Sequence, residues 1–270
     1  ESVEAIAEAK AEIFSGLVPG GTAVINRDNP YFGTLESAAE KPGARVVSFG
    51  QDARADVRSK VLEIAAEGTG VEIAIGGRRY GFRIAVPGIH IAMNALAVAA
   101  ALDAAGVDLD RALAALATVS PPPGRGVRTE LPVDGGHILL IDESYNANPA
   151  SMRAALAVLG TVPRAAYGRR IAVLGDMLEL GAQEKSHHLA LKEAVDAAGT
   201  DLVFASGPNM EHLFRSLPPA KQGAWALKSA DIEEPLFRRL APGDVVMVKG
   251  SNGSRMGPLV EALKETLSSE

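Results

Sequence analysis

The stretch Ile141 to Met152, IDESYNANPASM, sets two adjacent carboxylates, Asp142 and Glu143, ahead of Ser144, Tyr145, Asn146 and Asn148, and closes on Pro149. An apolar run leads into it and a helical pattern leaves it, so it reads as a strand-to-helix loop dense in hydrogen-bonding groups. Asn, Asp and Ser favour turns and caps for local reasons, which is one account of this composition. Two carboxylates beside two amides favour the other account, a ligand-binding loop. Polar groups also follow three other apolar runs, as Gly175-Asp176, Ser206-Gly207 and Lys249-Gly250-Ser251. Upstream, His90 and Asn94 form an i, i+4 pair on one helical face. Ordinary polarity at a helix N-terminus explains that pair equally well.

These groups need elements to hold them. Val3, Ile6, Ala7, Ile13 and Phe14 fall on one face of an opening helix whose pattern is already running at Glu1, which reads as a piece of a longer chain. Pro19-Gly20-Gly21 then turns the chain into a strand over Thr22 to Asn26, followed by a weak helix and a second strand over Arg45 to Phe49. Between Val57 and Pro87 the alternation of Val61, Glu63 and Ile64, then Val71, Ile73 and Ile75, then Tyr80, Phe82, Ile84 and Val86 predicts three antiparallel strands, with Gly76-Gly77 as a turn. Helices are expected over Ile89 to Ala105 and Asp108 to Ala117, the second capped by Asp108.

Ser120-Pro121-Pro122-Pro123-Gly124 cannot continue a helix and marks the domain boundary, giving units 1–120 and 121–270. Beyond it, Val127 to Leu131 and His137 to Ile141 read as a hairpin around Asp134-Gly135-Gly136. The apolar runs Ile171 to Leu174, Leu202 to Ala205 and Val245 to Val248 read as buried strands of a parallel sheet flanked by helices. Ligands of such sheets lie at the carboxyl edge of the strands, where the polar groups just named all fall. His137, His187, His212 and Trp225 read as structural residues, Trp225 as core or a packing edge.

With 270 residues, 47% of them hydrophobic, the chain can bury about two cores. It has no cysteine, so no disulfide framework or thiolate metal site is available, and the cytoplasm is the expected location. Acidic residues outnumber basic ones, 33 to 27, and no Lys/Arg cluster stands out, which argues against a nucleic-acid surface. The longest apolar stretch, Ala95 to Leu102, is far short of the about 20 residues of a membrane span.

The IDESYNANP stretch resembles the Asp-Ser-Tyr-Asn-Ala-Asn-Pro signature of the D-alanyl-D-alanine-adding branch of the Mur ligase family. LGDMLELG at Leu174 to Gly181, with His188 beyond it, and VKGSNGSRM at Val248 to Met256 resemble two further segments of that branch in order and spacing. The resemblance runs from residue 1 to the end. It implies an α/β protein: the back half of the family's central ATPase domain followed by a Rossmann-like C-terminal domain. It implies ATP and Mg2+ as cofactors, and UDP-N-acetylmuramoyl-tripeptide and D-alanyl-D-alanine as substrates in peptidoglycan precursor synthesis. The reaction would be amide formation, in which the tripeptide carboxylate takes the γ-phosphoryl group and the dipeptide amine then displaces phosphate.

Carried over position by position, the resemblance makes Lys10, in EAKAEIF, the lysine that becomes carbamylated and orders a magnesium ion. It sets Asn94 facing the adenine, with His90 among the ATP-binding residues and Ile91 where the family has a first asparagine. It brings Arg125, in Pro-Gly-Arg, to the nucleotide phosphates. Asp142, Glu143, Asn146 and Asn148 would hold the nucleotide, Glu143 standing where the family has an aspartate, so either carboxylate is a candidate for the ribose. Asp176, Glu179, His188, Lys249 and Ser251 would bind the dipeptide and the growing peptide, an acid holding the ammonium and Lys249 the carboxylate. His188 reads equally as a helix-surface residue. The second domain would swing about the Pro121 to Gly124 hinge to deliver the amine. No GxxxxGK(S/T) loop occurs in the 270 residues, so the chain by itself is expected to be inactive. A non-catalytic nucleotide- or dipeptide-binding module, and another Mur or folylpolyglutamate-type ligase, are the competing readings.

Overall fold

The computed structural model describes residues 2–65 and 68–268. Glu1, where the opening helical pattern begins, lies outside them. The chain divides into two compact units, Glu1–Val119 and Ser120–Glu270.

In the first unit, β1 (Thr22–Asn26), β2 (Arg45–Gly50), β3 (Val57–Ala65), β4 (Gly68–Ile75) and β5 (Arg78–Ile84) form one sheet in that order. The expected antiparallel patch is not separate from the α/β start. β3 pairs parallel to β2 through Phe49–Val57 and Gly50–Arg58 before the chain reverses onto β4, so the two patterns share one sheet. Helix α3 (Ile89–Ala104) packs on it through Ala92, Leu96, Ala99 and Ala100, which join Val47, Phe49, Val71 and Ile73 in a single core. Alanines keep that helix face thin, so the backbone can approach the sheet closely. Helix α4 (Leu109–Ala115) starts where the Asp108 side chain accepts the Asp110 N–H. Helices α1 (Val3–Ala11) and α2 (Phe32–Glu40) pack together, yet α1 buries only Ala7. Of the rest of the predicted apolar face, Phe14 packs partly against the core of Ala23, Ile25, Phe32 and Ala39, while Val3, Ile6 and Ile13 are exposed.

The second unit holds β6 (Val127–Val133), β7 (Gly136–Glu143), β8 (Arg170–Gly175), β9 (Leu202–Ser206), β10 (Gln222–Ala226) and β11 (Val245–Lys249), in the order β10-β9-β8-β11-β7-β6. All pairs are parallel except the β6–β7 hairpin. Alternate residues of the central strands face two different cores. Leu139, Ile141, Ala172, Leu174, Val245 and Met247 point to one side, under α5 (Pro149–Thr161), α7 (Leu191–Ala197) and α8 (Met210–Ser216). Ile138, Leu140, Ile171, Val173, Val246 and Val248 point to the other, under α9 (Glu233–Phe237) and α10 (Met256–Ser268). Coverage on both faces is the reason these strands read as unbroken apolar runs.

The chain steps outward from β8 to β9 and β10, then returns with β11 between β8 and β7. That reversal opens a crevice at the carboxyl ends of the strands, the place where open parallel sheets bind ligands. The opposite edge is clamped instead: buried Asp244, just before β11, takes Arg169 Nε at 2.8 Å and Nη2 at 2.7 Å, joining the starts of β8 and β11.

Candidate functional site

The carboxyl edge of the second unit gathers the loops after β7, β8, β9 and β11. Asp142 is buried at the end of β7, with Oδ2 accepting the Gly124 N–H at 3.0 Å and Oδ1 accepting the Ser144 hydroxyl at 2.6 Å and the Ser144 N–H at 3.1 Å. The Tyr145 N–H donates to the Gly124 carbonyl at 3.1 Å, and Gly124 has φ +75°, with a Cβ there falling 2.9 Å from Tyr145 N. Only glycine fits that turn. The Pro-Gly-Arg loop is thereby tied to the IDESYN loop, and the Arg125 guanidinium lies 4.3 Å from the centroid of the exposed Tyr145 ring. This cation–π stack holds the guanidinium on the exposed surface.

Lys249 ends β11 and is buried, not free for a ligand carboxylate. Its Nζ donates to Asn146 O at 2.9 Å and to Glu143 Oε2 at 3.2 Å. Ser251 is buried too: its hydroxyl accepts the Leu178 N–H at 2.9 Å and donates to Ala147 O at 3.2 Å. Asn148 caps α5, its side chain accepting the Ser151 N–H at 2.8 Å while Ser151 Oγ accepts the Asn148 N–H at 2.9 Å. Asn146 is exposed, its Oδ1 turned back onto the Ala147 N–H.

Asp176, after β8, is buried and accepts the Met210 N–H at 2.7 Å and the Asn209 N–H at 3.2 Å. Burial, with Glu184 adding to it, holds its carboxyl above the ordinary value against those donors and His188. His188 is fully buried, so it is no surface histidine. Met177 N–H donates to its Nε2 at 3.0 Å, which leaves Nδ1 as the ring's donor to Glu184 O at 2.7 Å. Both nitrogens are thus committed to backbone on α6 (Glu184–Leu189) and the 176–180 loop. Glu179 is exposed and left-handed, φ +64°.

Three clefts open around the turn Asn252–Ser254. One of about 540 Å³ is lined by Asp176, Glu184, Asn209, Lys228, Ser229 and Arg255 among others. One of about 430 Å³ carries Asn146, Asn148 and Glu179, and one of about 290 Å³ lies beside Tyr145 and Arg255. Sequence reading missed Glu184, Lys228 and Arg255. Arg255 has φ +60°, and with Glu179 it is one of two non-glycine residues of positive φ among the described residues. Both line these clefts, where backbone strain concentrates at working surfaces. No sequence pattern marks a left-handed arginine. Lys228 follows β10, a strand without the β-branched run that would announce it, and Trp225 on that strand is half-buried, its Nε1–H donating to Gly207 O.

In the first unit, His90 and Asn94 share a face of α3, Asn94 exposed, and Lys10 is exposed on α1. Among the described residues no group of three or more His, Asp or Glu side chains is placed to hold a metal ion. No helix among them is long and apolar enough to cross a membrane.

Residues 1–102 match the Mur ligase middle domain, and residues 127–252 match the Mur ligase glutamate ligase domain. The UDP-N-acetylmuramoyl-tripeptide--D-alanyl-D-alanine ligase of Escherichia coli is 35% identical over 268 residues, covering 98% of this chain and 56% of that protein. Among solved structures, MurF from Acinetobacter baumannii superimposes with a TM-score of 0.80 at 26% identity, covering 96% of this chain and 55% of that one. The MurF ligase of Thermotoga maritima, solved in complex with ADP, has the same fold, with a TM-score of 0.80 at 24% identity over 99% of this chain and 58% of that one. The chain thus spans about half the length of the relatives it matches. Its two matched domains, in this order and on this fold, place the chain in the Mur ligase family.

Proposed function

We propose that this chain supplies the dipeptide-binding side, and part of the nucleotide-binding side, of a cytoplasmic ATP-dependent ligase that joins D-alanyl-D-alanine to UDP-N-acetylmuramoyl-tripeptide. The observation that carries the reading is the charge distribution of the 540 Å³ cleft. Its lining carries two carboxylates, Asp176 and Glu184, the second accepting Asn209 Nδ2 at 3.2 Å. The same lining carries two cations, Lys228 and Arg255, and Ser229 Oγ donates to the Arg255 backbone carbonyl at 2.8 Å. A free dipeptide carries an ammonium and a carboxylate at most about 7 Å apart. A lining that offers both carboxylates and cations matches such a zwitterion.

In this reading Arg255, not Lys249, holds the dipeptide carboxylate, and Asp176 with Glu184 holds the ammonium. Arg125, pre-oriented on Tyr145, is the cation offered to nucleotide phosphates, with His90 and Asn94 on the adenine side. Lys249, Ser251, His188 and Asp142 hold the loops in place through their buried hydrogen bonds, and Asn148 does so by capping α5. ATP supplies the phosphoryl group that activates the tripeptide carboxylate. Lys10, if carbamylated, would offer carbamate oxygens, the hard ligands that magnesium takes. The 270 residues, which hold no GxxxxGK(S/T) loop, bind without turning over.

Calorimetric titration of the chain with D-alanyl-D-alanine tests the dipeptide site. Arg255→Ala is expected to weaken binding about tenfold or more, as a charge-assisted contact is lost. Binding also strengthens as pH rises through the raised Asp176 value, because the ammonium needs the ionised carboxylate, and Asp176→Asn abolishes that dependence. Equal affinity in wild type and Arg255→Ala would contradict the assignment.

A further inference from the structure

We infer that Leu178 is a specificity-determining residue: its side chain is the wall between two clefts and limits the size of the group at the ammonium end of the bound dipeptide. The inference rests on the dipeptide reading of the 540 Å³ cleft.

Leu178 is a large apolar side chain left 41% exposed, whereas Leu180, two residues on, packs against the core. An exposed leucine needs no explanation in general, but the backbone beneath this one is pinned at successive residues. Met177 N–H donates to the fully buried His188, Leu178 N–H donates to the buried Ser251 hydroxyl, and Glu179 takes a left-handed conformation. The Ser251 N–H in turn donates to the Asp176 carbonyl at 3.0 Å. Two buried polar side chains therefore act as positioning residues for a leucine that faces open space. On the opposite strand end, Gly253 makes room for it: a Cβ there would stand 2.7 Å from Leu178 Cδ1. Leu178 and Gly253 line both the 540 Å³ and the 430 Å³ clefts, so the side chain seated on the glycine divides them. Leu178 lines the same cleft as Asp176, the acid assigned to the ammonium, and so borders the first residue of the dipeptide. A methyl group fits against this wall and a longer chain meets it.

The test uses the 270-residue chain and two probes, D-alanyl-D-alanine and D-norvalyl-D-alanine, titrated calorimetrically into wild type, Leu178→Ala and Leu178→Phe. An apolar pocket discriminates roughly tenfold or more per methylene. Leu178→Ala is expected to shift the affinity ratio about tenfold toward the norvalyl dipeptide, and Leu178→Phe is expected to shift it the other way. The position is exposed, so both variants should unfold at the wild-type temperature, which the same samples report. If wild type binds D-alanyl-D-alanine but the ratio stays within twofold in all three proteins, the role of Leu178 is wrong while the dipeptide reading survives. If no protein binds either dipeptide, the reading of the cleft falls and the inference with it.

Discussion

Lys249→Met should lower the unfolding temperature of the second unit by roughly 6–12 °C, from a loss of about 3 kcal/mol. Methionine keeps the length and most of the volume of lysine but removes the charge. The Glu143 carboxylate and the Asn146 carbonyl, which Lys249 Nζ meets at 3.2 Å and 2.9 Å, would then face a thioether at the end of β11. The lysine side chain is only 4% exposed and that of Glu143 16%, so water replaces the lost donor poorly. The lower end of the range measured for broken buried pairs applies, because Glu143 keeps some solvent. Glu143→Gln combined with Lys249→Met removes both charges and should recover part of the loss, a non-additivity visible by thermal unfolding of the four proteins. Strictly additive losses, or a single variant as stable as wild type, would mean that the pair is not the strut described.

Gly207→Ala is expected to destabilise the second unit by about 2–4 kcal/mol and to abolish dipeptide binding. Gly207 follows β9 with φ +110°, a conformation that L side chains rarely adopt. A Cβ there would fall 2.3 Å from Asp176 Cγ, and that carboxylate is held by Met210 N–H and Asn209 N–H, so it cannot swing aside cheaply. Nor can the glycine retreat, since its N–H donates to Ala226 O and its carbonyl accepts Trp225 Nε1–H, both from β10. Relief has to come from moving Asp176, the acid assigned to the ammonium. Urea unfolding and dipeptide titration check the two effects separately. A variant that is stable and still binds would place Asp176 outside the binding surface.

Much of the second unit is legible in its residues because the physics is simple there. Strands covered on both faces must be apolar throughout, so Ile171 to Leu174, Leu202 to Ala205 and Val245 to Val248 announce themselves. β10 does not, because an edge strand with half-buried Gln222, Ala224 and Trp225 meets no such demand. In the first unit the residues of β3 are recognisable, while its parallel pairing with β2 depends on a partner that no local pattern specifies.

The candidate site divides in the same way. Residue types locate the loops, since ligand groups collect where apolar runs end. What each group touches depends on partners far along the chain: Lys249 meets Asn146, 103 residues away, and Ser251 meets Leu178, 73 away. A lysine or histidine in such a loop therefore reads as a ligand contact when its polar atoms are already committed to the protein. His188 is the clearest case, with both ring nitrogens on backbone groups. Arg255 was hidden for the opposite reason, because its left-handed conformation gives it an orientation that its neighbours in sequence do not imply.

The central claim, that these residues form the dipeptide-delivering half of a ligase, is tested most directly by phosphate release from ATP in the presence of UDP-N-acetylmuramoyl-tripeptide. The chain by itself would be compared with the same chain joined to a front half carrying a GxxxxGK(S/T) loop. The predicted result is release by the joined protein only, and only when D-alanyl-D-alanine is added. Release by the 270 residues by themselves, or release by the joined protein that ignores the dipeptide, would contradict it.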